Sequence, residues 1–208
     1  MKEKTAKEQE KTVKFYSIKD EIRILGIDDG PFDLHAGGKA LLVGVIYRGG
    51  KFLDGVLRTE VTIDGTDSTE KVADMVCKSK YKDIRIIMID GLGFAGFNLV
   101  DLEELSERTG LPVIAVVRDM PDFAAIEDAL DNTEHKDYYL SCIKKAGRPR
   151  KVETKDKKHI YIQYRGITFA DAEKIVKLSS TRSLIPEPIR VAHLIASGIV
   201  LGESRGGA

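Results

Sequence analysis

The chain reads as a mixed α/β domain: three antiparallel strands, then parallel strands reached through helices, the whole sheet flanked by helices. Three observations carry this reading. Ala40–Tyr47 and Phe52–Ile63 are strand-like runs joined by Arg48-Gly49-Gly50-Lys51, a strong hairpin signal. From Phe52 to Val117 the pattern is strand, helix, strand, helix, strand with short links, the crossover arrangement of parallel pairing. Two apolar runs end on an acid followed by glycine, Ile27-Asp28-Asp29-Gly30 and Ile89-Asp90-Gly91.

Each element has a local reason. Arg23–Asp28 is a short apolar run closed by the Gly30-Pro31-Phe32 turn, with Gly37-Gly38-Lys39 a further flexible point. Val56 to Ile63 alternates apolar and polar, so that strand is half-buried. Asp67 or Ser68 is an N-cap for a helix carrying Val72, Ala73, Met75 and Val76. Ile84–Ile89 is continuously apolar, as a strand covered on both faces must be. Asn98–Thr109 is an amphipathic helix stopped by Gly110, and Val113–Val117 is the next strand. Helices are expected at Phe123–Leu130, Tyr138–Lys145, Phe169–Leu178 (capped by Thr168) and Ile189–Ile199. Arg150–Glu153 and His159–Tyr164 flank a Lys155-Asp156-Lys157 turn as a hairpin. Residues 1–19 form a Lys/Glu-rich arm expected to be flexible, 20–200 a single domain, and 201–208 a flexible tail. This chain order is that of a ribonuclease H-like fold, in which carboxylates on the first and fourth strands lie side by side; the step is an analogy of folds.

A hydrophobic fraction of 42% in 208 residues supplies a real core. Cys77 and Cys142 fit neither a disulfide framework nor zinc spacing, which points to a reducing, cytoplasmic setting. No run is long enough to span a membrane, and the first residues lack an apolar signal core. Net charge is zero but uneven. Asp119 to Asp137 holds seven acids and one base, whereas Ser141 to Arg165 holds nine bases and two acids. The basic block, with Lys151 and Arg165, suits a phosphate backbone; a solvated hairpin is the equal alternative.

Asp28, Asp90 and Glu70, which opens the helix after Asp67-Ser68-Thr69, are placed to converge on a divalent cation. Hard cations held by oxygens are the usual means of cutting phosphodiester bonds. The competing reading is that Asp28 and Asp90 only close turns before glycine. Asp29 points to the opposite face from Asp28 and reads as a turn acid or an outer group. Gly91-Leu92-Gly93 offers amides to a phosphate at a helix start, without a full dinucleotide or Walker pattern. His193, on the apolar face of the last helix, reads as a core or interface histidine, and His35 as an exposed loop residue.

The chain also resembles an archaeal family that is distant kin of endonuclease V, over roughly residues 20–200. The resemblance rests on Gly26-Ile27-Asp28-Asp29-Gly30, on Ile89-Asp90-Gly91-Leu92-Gly93 followed by Leu111-Pro112-Val113-Ile114-Ala115-Val116-Val117-Arg118, and on Pro186-Glu187-Pro188-Ile189-Arg190-Val191-Ala192-His193, which is similar to an L-P-E-P-x-R-x-A-[DH] element. It implies that Asp28 and Asp90 bind metal. It implies that Glu70, 20 residues before Asp90, is the catalytic glutamate, with Asp67 a rival. Arg118 falls where the family carries a lysine near the scissile phosphate. Phe94-Ala95-Gly96-Phe97 departs from the family's His-Pro and arginines, Ile167 stands where it has a histidine in G-H-R, and its Pro-Tyr wedge is not visible. The expectation is therefore Mg²⁺- or Mn²⁺-dependent hydrolysis of DNA or RNA, with a non-cutting nucleic-acid-binding module or a phosphohydrolase on a smaller ester as alternatives.

Overall fold

Where each apolar run falls in the sheet decides which of its residues are hidden, and the computed structural model follows that logic. It describes residues 12–131, 133–154 and 158–205. The chain forms β1 (Arg23–Asp29), β2 (Lys39–Arg48), β3 (Phe52–Thr62), α1 (Ser68–Lys78), β4 (Ile86–Asp90), β5 (Gly93–Phe94), β6 (Asn98–Leu99) and α2 (Leu102–Thr109). It continues through β7 (Val113–Val117), α3 (Phe123–Leu130), α4 (Lys136–Ala146), β8 (Arg150–Glu153), β9 (His159–Arg165), α5 (Phe169–Ser179) and α6 (Glu187–Leu201).

Seven strands make one mixed sheet in the order β3-β2-β1-β4-β7-β9-β8, and β5 and β6 pair separately as a small ribbon. β1, β2 and β3 are antiparallel neighbours. β4 lies parallel to β1 and β7 parallel to β4. This is the expected ribonuclease H-like arrangement, extended by the antiparallel pair β9 and β8. The innermost strands β1, β4 and β7 are buried over nearly their whole length because both faces are covered.

One face carries Leu25, Ile27, Ile87 and Ile89 against Val72 and Val76 of α1 and Leu102 and Leu105 of α2. The other carries Ile24, Ile86, Met88 and Val116 against Ile175 and Val176 of α5 and Ile189 of α6. Ala192 and Ala196 extend α6 over Val43 and Val45 of β2. Residues 1–11 of the expected arm, the turn residues 155–157 and residues 206–208 of the tail lie outside the described residues. Within the described part of the arm, the Val13 N–H donates to the Gly166 carbonyl at 2.8 Å, and Phe15 and Ile18 pack against the α5 side of the core.

The helix expected from Asn98 starts four residues later, at Leu102. Asn98 and Leu99 pair instead with Phe94 and Gly93. Asp101 then caps α2, its side chain accepting the N–H groups of Glu103 and Glu104 at 3.1 and 3.0 Å. Asn98 is fully buried and ties three segments together. Its Oδ1 accepts the Ser68 N–H at 2.9 Å, capping α1, while its Nδ2 donates to the Thr62 carbonyl and to Asp67 Oδ1 at 2.7 and 2.6 Å. Asp67 occupies the N-cap position, yet its side chain serves β3 instead, accepting from Thr62 N–H and Oγ1 at 3.0 Å each. Asn98→Ala leaves the buried Ser68 N–H and two part-buried acceptors, the Thr62 carbonyl and Asp67, without their partner, so it should lower stability by about 1–3 kcal/mol. Urea denaturation checks this; a loss under about 0.5 kcal/mol would mean water replaces the amide.

Candidate active site at the carboxyl ends of the parallel strands

Parallel pairing of β1 and β4 brings two acids together. Ile27 pairs with Ile89, so Asp28 and Asp90 follow side by side at the ends of adjacent strands. Strands lie about 4.8 Å apart and residues in register share a face. Asp28 continues the face of Ile24, and Asp90 that of Ile86 and Met88, so both open on the α6 side.

The first turn of α6 is pressed onto β1. A Cβ at Gly26 would lie 2.3–2.5 Å from the backbone and Cβ of Pro188, so only glycine admits this approach. One turn and a half further along α6, His193 Nδ1 meets Asp28 Oδ2 at 2.8 Å. Asp28 Oδ1 accepts the Asp29 N–H at 2.9 Å. Asp28 is only 4% exposed, and its pKa is pushed up to about 7. Burial is the main cause; the His193 hydrogen bond opposes it, and the charges of Asp90 and Asp29 add to it. Burial likewise raises Asp90, against the nearby positive charges of Arg118 and His193. His193 is held above the usual imidazole range, chiefly by its bond to Asp28.

Asp29 turns to the opposite face. Its Oδ2 accepts the Ala95 N–H at 2.6 Å, at the tip of the β5–β6 ribbon. Asp64 grips the same tip: its N–H donates to the Ala95 carbonyl at 2.9 Å, and its Oδ1 accepts the Phe97 N–H at 2.8 Å. Asp64 and Ala95 both hold positive φ, 50° and 47°. Such backbone persists only where several contacts over-determine it, which the two aspartates supply.

The other expected site residues scatter. Arg118 follows β7 two residues beyond Val116, the partner of Asp90, and its charge reaches Asp90. Glu70 is exposed on the first turn of α1, which packs on the face opposite Asp28 and Asp90. Asp67, its rival, is bonded to Thr62 and Asn98. Among the described residues, no three His, Cys, Asp or Glu side chains gather as a set able to hold a metal ion. Gly91 has φ 66°, and its N–H donates to the Val116 carbonyl at 2.8 Å, so that amide is not offered to a phosphate. Gly93 pairs with Leu99 in the ribbon. Lys151 is exposed on β8, opposite Tyr161. Arg165 pairs with Val113 while Ile162 pairs with Val116. That sets it about 10 Å down the strands from the level of Asp90. Its guanidinium donates to the Tyr164 and Lys145 carbonyls. Ile167 is buried in the α5 side of the core.

His193 is the residue that spacing misplaced. Its neighbours Ile189, Ala192 and Ala196 are buried, which made it read as core, yet its side chain is 36% exposed and reaches Asp28. The available signal was its place at the end of the Pro186–His193 element, together with Gly26, which marks where that helix must touch β1.

A mixed sheet of this order, with two aspartates at adjacent strand ends, is the fold seen in endonuclease V structures. In fold the chain is similar to an endonuclease V of Ciona intestinalis crystallised with a 24-mer DNA containing inosine, at TM-score 0.53 and 18% identity, with 82% of each chain covered. The chain belongs to the endonuclease dU family, whose model matches residues 20–200. A UPF0215 protein of Methanothermobacter thermautotrophicus is 54% identical over 197 residues, covering 93% of this chain and 95% of the relative. A crystal structure of an Archaeoglobus fulgidus protein of unknown function matches at TM-score 0.77 and 38% identity, covering 85% of this chain and 97% of that one.

The raised carboxyls set a stability trend. A carboxyl whose folded pKa is raised destabilises the fold only when it is charged. The cost is absent below the unfolded value of about 3.9 and complete above the folded one. Asp90→Asn should therefore stabilise the metal-free protein little near pH 4. Near pH 8 the variant should melt above the parent. Thermal melts in chelator at the two pH values check this; equal melting of parent and variant at pH 8 would show that the charge is already compensated.

Proposed function

We propose that this chain is a divalent-metal-dependent endonuclease that hydrolyses DNA phosphodiester bonds beside deoxyuridine. The observation that carries the reading is the buried, mutually repelling pair Asp28 and Asp90 at neighbouring strand ends. Their donor chemistry fits a hard cation: carboxylate oxygens, negative charge in excess, and burial that leaves the anions short of solvent. Mg²⁺ keeps several waters, so two protein carboxylates suffice to hold it, and Mn²⁺ takes the same ligands. When bound, the cation would supply an activated water and offset charge on the phosphoryl oxygens.

The chain's own side chains do the rest. His193 holds Asp28 in one orientation through its Nδ1 contact, as outer partners of metal-binding carboxylates do. Arg118, beside Asp90, is placed to take a phosphate oxygen pair in bidentate fashion. Glu70 is not drawn into the pair, since its carboxylate lies exposed on α1. Deoxyuridine is taken from the family description, and DNA is supported by the Ciona endonuclease V complex.

The test is cleavage of end-labelled single- and double-stranded DNA carrying one deoxyuridine, with thymidine controls, in Mg²⁺, Mn²⁺ and EDTA. Cutting should require deoxyuridine and metal, and Asp90→Asn should abolish it. His193→Ala should lower the rate by about 10–100-fold, the usual scale for outer partners of a metal. Glu70→Gln separates the two designs: a two-carboxylate centre keeps cutting, a three-carboxylate centre loses it. Salt-sensitive DNA binding with no cutting in either metal would overturn hydrolysis and leave a binding module.

A further inference from the structure

The basic block does not stay together in the fold. The start of β9 lies toward the Asp90 end of the sheet, because Tyr161 pairs with Val117 there. Arg148, Arg150 and Arg165 collect at the other end, around a cavity of about 240 Å³ formed by the end of α4, the start of β8 and the end of β9. Gly147, Gln163 and Tyr164 complete its polar wall, and among the described residues no acidic residue lines it.

The wall is built rather than incidental. Gln163 Nε2 donates to the Gly147 carbonyl at 2.6 Å and fixes the link between α4 and β8. Arg165 donates to the carbonyls of Tyr164 and Lys145, which sets the plane of its guanidinium. Arg150 lies over the Phe169 ring, its Cζ 3.5 Å from the centroid, and donates to the Tyr164 hydroxyl at 3.3 Å. A guanidinium stacked on a ring and steered by one hydroxyl keeps further N–H donors for a ligand. Arg148 and Arg150 bring two like charges to one small cavity, which favours an anion there.

We propose that this cavity is a phosphate-binding site separate from the Asp28–Asp90 centre. A tetrahedral anion with several acceptor oxygens matches planar guanidinium donors, as carboxylate and phosphate sites generally do. The phosphate belongs either to a small phosphorylated molecule or to the backbone of a nucleic acid running past this end of the sheet. The site does not depend on cleavage and stands whether or not the chain cuts DNA.

The experiment uses pyrophosphate and an undamaged 20-mer duplex as probes, in EDTA, so that metal-mediated binding at the aspartates is removed. Parent protein is compared with Arg148→Glu, with the double variant Arg148→Glu/Arg150→Glu, and with Asp90→Asn. Melting curves establish that each is folded; if the double variant loses the Phe169 stack and unfolds, the exposed Arg148→Glu is read alone. The expected result is at least a tenfold loss of pyrophosphate affinity in the arginine variants and no change in Asp90→Asn. Unchanged duplex affinity then assigns the site to a small phosphate. A duplex affinity that also falls, with the salt slope reduced by about one per arginine, assigns it to the backbone. Pyrophosphate and duplex affinities that both stay unmoved in the arginine variants, or pyrophosphate binding lost equally in Asp90→Asn, would overturn the proposal.

Discussion

The close approach of α6 to β1 at Gly26 is the constraint on which the candidate centre depends. Without a side chain at that position, the first turn of α6 rests on the strand itself, and the helix then runs along β1 toward its carboxyl end. His193 arrives at Asp28 as a consequence of that path. A larger residue at position 26 would lift the helix, and the histidine would lose its partner before any residue of the centre had changed. The small side chains Ala192 and Ala196 keep the same helix low over β2. Packing on this face is thus the means by which two distant parts of the sequence share a hydrogen bond.

The opposite face is organised by polar groups. Asn98, Asp67, Asp64 and Asp29 link the end of β3, the start of α1, the β5–β6 ribbon and the end of β1. Adjacent residues Asp28 and Asp29 therefore divide their work across the sheet: one meets a helix, the other braces a ribbon. Buried polar networks of this sort are costly when half satisfied and rigid when complete. Here the ribbon tip carries Ala95 and Gly96 at positive φ, and Asp29 and Asp64 hold it in place.

Much of the architecture was legible because it depends on periodicity. The continuous run Ile84–Ile89 required a strand with two covered faces, and the alternation of Val56–Ile63 required a half-buried one. The register of β1 with β4 could be foreseen from the two acid–glycine endings. What periodicity misses is any element defined by one side chain. Asn98 fitted a helical stripe equally well, and only its capping of α1 from the ribbon shows otherwise. Glu70 fitted the family order, and sequence distance says nothing about which face of the sheet α1 takes. His193 fitted a core stripe because its neighbours are core; its role comes from a partner 165 positions away. Spacing within one element cannot report such a pair.

β3 forms one rim of the sheet, and backbone groups toward both ends of its open side are already bonded. The Thr62 N–H and carbonyl are occupied by Asp67 and Asn98, and the Asp54 carbonyl accepts the Tyr81 hydroxyl at 3.0 Å. Between these stops lie Val56, Arg58 and Glu60, the last two an ion pair at 3.2 Å on the exposed face. An edge strand with charged residues at its centre and both ends blocked is a poor template for adding another chain. The residues that fasten α1 and the ribbon thus also keep this rim from nucleating aggregates. Loosening Asn98 would then show itself as loss of solubility on storage as well as in the melting curve.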